Sequence, residues 1–301
     1  MRAVTTATAV AALRVSSAAP PPPLFSLPDS LNLTAAVAVD PATGSDEILL
    51  AIFRVGAGPA GALDWDLSSR TGAALPAADA RGVRPTLEGS TAVQYGNATF
   101  GALLNLTATP LEPGASLGTV TIACDFSAAR AAAPWAAGAR GLELSIEYQV
   151  PLASKTGVAV YTSWTVGLAT AAAGSFVWYE TALFDLDRPL GGDVVWLDTI
   201  SGRPIVHGVL ARAQQPPSRF HRMFDDSAES ATAPWAGYRR FHFAIEAEHV
   251  AAAMAAANAK FNLTLDTDPA AWRLVHTNVE VEGTAGGTAA HSLRAMVIGA
   301  L

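Results

Sequence analysis

Apolar and polar residues alternate with a period of two along much of the chain from Gly141 onward, the pattern of half-buried β-strands. Gly141 to Val150 puts Leu142, Leu144, Ile146, Tyr148 and Val150 on one face and Glu143, Ser145, Glu147 and Gln149 on the other. Val158 to Leu168 and Ser175 to Leu186 predict two more strands. In the latter, Trp178, Glu180, Ala182 and Phe184 share a face opposite Tyr179, Thr181, Leu183 and Asp185. Gly192 to Ala211 reads as two strands joined by a turn at Ser201-Gly202. The last pattern, Trp272 to Gly283, sets Arg273, Val275, Thr277, Val279 and Val281 against Trp272, Leu274, His276, Asn278, Glu280 and Glu282.

Shorter β-like runs precede these, at Leu33–Val39, Glu47–Val55, Ala92–Gln94, Ala102–Thr109 and Thr119–Phe126, divided by Gly, Pro, Asp and Ser clusters. The Ala-rich piece Ser127 to Arg140, stopped by Pro134 and Gly138, predicts a loop or short helical turn. One helix is expected, over Ile245 to Phe261. Its Ala content favours helix, and Glu246 and Glu248 lie where the dipole prefers acids. Many short strands with regular turn signals predict an all-β sandwich or jelly roll with that one Ala-rich helix packed on it. The strands are spread too evenly to locate a linker. A single domain over residues 24–301 is therefore expected, with a split near Arg140 as the competing division.

Residues 1–23 read differently. Met1, Arg2, an apolar run to Leu13 and the small residues VSSAA loosely resemble a secretory leader, and Pro20 to Pro23 form a stiff spacer. Four of the six asparagines (Asn32, Asn97, Asn105 and Asn262) lie in N-x-[ST] sequons, which points to a secreted, extracellular protein. No run of roughly 18 apolar residues occurs, so no membrane-spanning helix is expected.

Composition narrows the function classes. Of 301 residues 50% are hydrophobic and 15% charged, which argues for a folded chain. A net charge of -7 with only two lysines gives no basic patch, so nucleic acid is not an expected partner. Cys124 is the only cysteine; it cannot form an internal disulfide, it excludes a Cys-based zinc site, and its β-like setting suits a small buried hydrophobe. No metal or cofactor is expected, nor an assembly beyond the monomer. The loop acids Asp225 and Asp226 beside His221 read as solvated, His242 and His249 lack ligand spacing, and His207 and His291 read as packing or surface residues. No G-x-S-x-G elbow or phosphate-binding glycine motif is present.

The chemistry that remains is carboxylate chemistry. Glu180, flanked by aromatic and apolar residues, pairs with either Glu280 or Glu282. Two carboxylates across a sugar ring let one attack the anomeric carbon while the other protonates the leaving oxygen. Trp178, Trp272 and Trp164 are candidate stacking platforms for a sugar. Asn278 is a candidate hydroxyl donor or carboxylate orienter, and His276 shares its face.

The run YETALFD (Tyr179 to Asp185), the helix, WRLVHTNVEVEG and the strand AHSLRAMVI together resemble the C-terminal half of glycoside hydrolase family 12 endoglucanases. The resemblance covers about 120 residues. It implies a concanavalin-like β-jelly roll with one helix, acting on a polysaccharide or oligosaccharide by retaining endo-β-glycan hydrolysis. Tyr179, Glu180, Leu183 and Phe184 match the nucleophile strand, with Phe in place of Trp. The acid/base role falls on Glu282, by an E-x-x-x-G spacing to Gly286, or on Glu280, by a shorter one to Gly283. The family's G-T-E-P-F-T-G wording is absent, and the N-terminal half has no match. A non-catalytic, lectin-like sugar binder and a structural surface β-protein with solvated acids are the alternatives.

Overall fold

The alternating segments pair into two sheets. In this computed structural model the described residues are 131–301 (without 157–158, 172–173, 187–191, 199–200, 215 and 285) and, before them, 25–26, 47–55, 67–68, 83–86, 91–96, 99–105 and 117–126. The expected leader, the proline spacer and the strand expected over 33–39 lie outside the described residues.

Within the described residues the strands are β1 (Phe25–Ser26), β2 (Glu47–Val55), β3 (Leu67–Ser68), β4 (Val83–Thr86), β5 (Thr91–Gly96), β6 (Thr99–Asn105), β7 (Leu117–Asp125), β8 (Gly141–Ser154), β9 (Val160–Thr170), β10 (Phe176–Asp185), β11 (Val194–Leu197), β12 (Pro204–Val209), β13 (Arg222–Met223), β14 (Trp235–Glu246), β15 (Trp272–Thr284) and β16 (Thr288–Ala300). One sheet has the order β13-β14-β8-β16-β6-β5-β4, with β1 also on β16; the other runs β11-β12-β10-β9-β15-β7-β2-β3. Two pairings are parallel, β10 with β12 and β2 with β7; the others are antiparallel. The protein is an all-β two-sheet sandwich carrying one long helix among its described residues, as the alternation predicted.

The two sheets meet through large side chains. Trp164 of β9 packs edge-on against Phe243 of β14 at 5.6 Å, and Phe184 of β10 meets Trp235 of β14 at 6.0 Å. Leu142, Leu144, Ile146, Tyr148 and Val150 of β8 are all buried, the face its alternation assigned to the core. The helix, α1 (Ala247–Phe261), begins two residues later than expected. Ile245 and Glu246 still pair with Leu142 and Gly141 in the sheet, so the strand's ladder competes with the first helical turn and wins. Glu246 and His249 then close a reciprocal cap around the helix start. Val250, Ala253, Met254 and Ala257 face the core, and Lys260 donates to the Val195 carbonyl of β11.

Two bulges alter the expected faces. In β15, Leu274 pairs with Leu168 and His276 with Gly167, which leaves Val275 as an extra residue. Pleat parity reverses there. Trp272 and Leu274 therefore lie on the core side with Thr277, Val279 and Val281, all at most 1% exposed. In β10 the register shifts between Ala182 and Phe184, so Phe184 turns inward and Asp185 outward, against the simple alternation.

Candidate active site

The face of β9, β10 and β15 turned away from the other sheet gathers the polar side chains. One row across β10, β9 and β15 is Glu180, Thr165, Asn278, extended by His207 of β12. The next is Ala182, Ser163, Glu280. Beyond the β10 bulge comes Asp185, Tyr161, Glu282. On the other side of Glu180 lies Trp178, Gly167, His276, continued by Ile205 and Trp196.

This face unites Glu180, Glu280, Glu282, Asn278, His276 and Trp178. It does not include Trp272 or Trp164. Trp272 is fully buried on the core side by the Val275 bulge, and its indole N–H donates to the Asp266 carbonyl at 2.9 Å. Trp164 stands opposite the polar face by pleat parity, with its indole N–H on Thr277 Oγ1 at 2.9 Å. Both are core side chains, which corrects their expected role as sugar platforms. Trp196, which sequence reading passed over, is half-buried on the polar face and takes a position of that kind. Its parity signal was legible in Val194–Leu197, but that strand is only four residues long.

Glu280 is held firmly. Its Oε1 accepts from Ser163 Oγ at 2.8 Å and Thr165 Oγ1 at 3.4 Å, and its Oε2 accepts from Asn278 Nδ2 at 2.8 Å. Both oxygens act as acceptors, the pattern of an ionised carboxylate. Glu180 sits in a different setting. It is 4% exposed, and its Oε1 faces His207 Nδ1 at 3.4 Å with no hydrogen bond on either atom. Glu282 is also buried, two residues further along β15 and next to Tyr161 in register.

Aromatic rings close the Trp178 end of the face. Trp178 meets Phe176 at 4.5 Å and His276 at 5.0 Å, both edge-on, and Arg203 lies 4.3 Å above the Phe176 ring. Gly167 makes this possible, since a Cβ there would stand 2.7 Å from both the His276 Cβ and the Phe176 ring. Any larger residue would force the rings apart.

Elsewhere, Glu246, Glu248 and His249 bring potential ligand atoms within 4.8 Å of one another. Glu246 and His249 are already committed. Arg222 binds Glu246 Oε1 at 2.8 Å and holds that carboxyl below its usual range, while His249 Nδ1 accepts the Glu246 N–H at 2.9 Å. His249 therefore keeps its remaining proton on Nε2, the nitrogen a metal would need. A cavity of about 380 Å³ beside this helix start is lined by Ser218, His221, Arg222 and His249 among others. Burial pushes His221 down to about 4, and its Nε2 contacts the Val209 carbonyl at 3.0 Å.

No family model matches the sequence, and no curated protein matches it. Solved structures similar to this chain include family 12 and family 11 glycoside hydrolases. A family 12 xyloglucanase from Bacillus licheniformis, in complex with a ligand, is 10% identical over 74% of this chain and 89% of its own, at a TM-score of 0.37. The xyloglucanase domain of NopAA, a type three effector from Sinorhizobium fredii in complex with cellobiose, is 7% identical over 76% and 91%, at 0.36. The family 11 xylanase from Neocallimastix patriciarum is 12% identical over 74% and 89%, at 0.34.

Proposed function

We propose that the protein is a retaining endo-β-glycan hydrolase acting on a glucan-type polysaccharide outside the cell, with Glu180 and Glu280 as its carboxylate pair. The observation that carries this reading is the contrast between the two carboxylates on one face: Glu280 accepts three hydrogen bonds, and buried Glu180 Oε1 accepts none. Carboxyl pairs in divergent environments divide the acid and base roles of a hydrolysis.

Register favours Glu280 over Glu282 as the partner of Glu180. The backbones of β10 and β15 are two strand spacings apart, about 10 Å, and Glu280 is offset along the strand by about 7 Å against about 14 Å for Glu282. Two glutamate side chains converging across the nearer offset suit the separation of about 5–5.5 Å that retention requires. In this reading ionised Glu280 attacks the anomeric carbon, while protonated Glu180 delivers its proton to the leaving oxygen. Glu180 then takes a proton from the water that releases the sugar. The roles are the reverse of those implied by the resemblance, because three donors bond Glu280 whereas His207 alone approaches Glu180, at 3.4 Å. Half-buried Trp178 and Trp196 offer ring faces to the sugar.

The test is reducing-sugar release from soluble β-glucans and xyloglucan, together with the burst from a dinitrophenyl β-cellobioside. Glu280→Gln should abolish both. Glu180→Gln should lose glycan hydrolysis and keep the burst, since dinitrophenolate leaves without a proton. A folded parent that binds these glycans and cleaves none would make it a sugar-binding module instead.

A further inference from the structure

Building on the hydrolase reading, we propose that His207 is the positioning residue for Glu180, fixing which carboxyl oxygen carries the transferable proton. The two residues are direct partners in the parallel β10–β12 register, so their side chains stand abreast on the polar face. Their facing atoms, Glu180 Oε1 and His207 Nδ1, are 3.4 Å apart and sealed from solvent, and neither has a hydrogen bond. Two buried polar atoms left unpaired in this way are costly unless they serve each other. Contacts of catalytic groups are often long in an empty site and tighten when substrate arrives.

The ring of His207 is itself braced, lying 5.0 Å from that of Trp196 with 40° between their planes. With its Nδ1–H directed at Oε1, His207 makes that oxygen an acceptor, and the proton then resides on Oε2. The other titratable groups on this face include Asp185 from β10, Tyr161 from β9, His276, Glu280 and Glu282 from β15, and Arg203 over the Phe176 ring; β11 presents only Val194 and Trp196. Of these only Arg203, which directly precedes β12, comes from the β12 side of Glu180, and it is engaged with the Phe176 ring.

A residue that acts through the acid should matter only when a proton is needed. His207→Ala should lower kcat on a soluble β-glucan by 10-fold or more with KM within about twofold, and leave the dinitrophenyl β-cellobioside burst unchanged. His207→Gln, which keeps a donor, should restore part of the loss. Ring-nitrogen resonances of His207, followed in ¹⁵N-histidine protein, should move in Glu180→Gln, a readout independent of turnover; unfolding midpoints check that each variant is folded. Equal losses on both substrates, no loss on either, or His207 signals indifferent to Glu180→Gln would overturn this inference and leave the hydrolase reading standing. A parent inert on both substrates would remove the hydrolase reading, and the role of His207 with it.

Discussion

Ser163 and Glu280 face each other directly across β9 and β15, and the serine hydroxyl donates to Glu280 Oε1 at 2.8 Å. Ser163 is fully buried, and Glu280 is half-buried. Hydrogen bonds to charged groups contribute about 1.5–3 kcal/mol, and about 1.4 kcal/mol is a factor of ten in rate. Ser163→Ala should therefore reduce kcat on β-glucan roughly 10- to 100-fold while the fold survives, because Thr165 and Asn278 still hold the carboxylate. Activity within twofold of the parent would show that the Ser163 bond does not contribute to the reaction.

The tryptophans divide into two groups with opposite expected behaviour. Trp164 and Trp272 are core side chains, and truncating either to alanine should cost about 3–5 kcal/mol of stability. Trp178 and Trp196 are half-buried on the polar face. Their alanine variants should raise KM for oligosaccharides several-fold and unfold near the parent's denaturant midpoint. Denaturation curves beside KM values test the division, and a stable Trp272→Ala with impaired binding would contradict it.

Stability should fall on mild acidification. Burial lowers His221 from an ordinary 6.5 to about 4 and His291 to about 3, and the Tyr148 hydroxyl lies 2.6 Å from His291 Nδ1. Burial also raises Tyr148, which therefore stays a neutral phenol that can donate to the neutral ring. Above 6.5 both histidines are neutral whether folded or unfolded, and their contribution is complete. Between 6.5 and the folded values only the unfolded chain takes up protons, so stability declines with pH and each loss ends below its folded value. The decline from 6.5 to about 4 amounts to about 3 kcal/mol for His221. Urea midpoints measured from pH 8 to pH 4 should drop below pH 6.5, and His221→Gln should flatten part of the slope. A profile level down to pH 4 would rule out buried neutral histidines.

One sequon has a described side chain. Asn262 caps α1 in the left-handed conformation, with φ 53° and ψ 43°, and is exposed together with Thr264. Asparagine tolerates that conformation better than most residues, and the exposed position leaves room for a glycan. Expressed through a eukaryotic secretory pathway, the protein should gain a glycan mass that Asn262→Gln reduces by one unit. Identical masses for the two would mean that this asparagine is not modified.

The strands from Gly141 onward, the helix and the two-sheet class were legible because each rests on local periodicity. Side chains two residues apart share a strand face whatever the strand pairs with, and alanine favours helix wherever it stands. The acids of the polar face were legible for the same reason, since Glu280 and Glu282 follow the Val275 bulge and keep one parity. What only the tertiary structure decided is where that parity breaks and which strands lie side by side. The extra residue at Val275 moved Trp272 into the core, and the shift after Ala182 exchanged Phe184 for Asp185. Across the β15 bulge the buried apolar positions switch from even, Trp272 and Leu274, to odd, Val279 and Val281, a switch that only the pairing with β9 assigns to a bulge. Two of the three donors on Glu280, Ser163 and Thr165, come from β9, more than a hundred residues earlier, and His207 reaches Glu180 only through a parallel β10–β12 pairing. Alternation fixes which way a side chain points, and the strand order alone fixes what it meets.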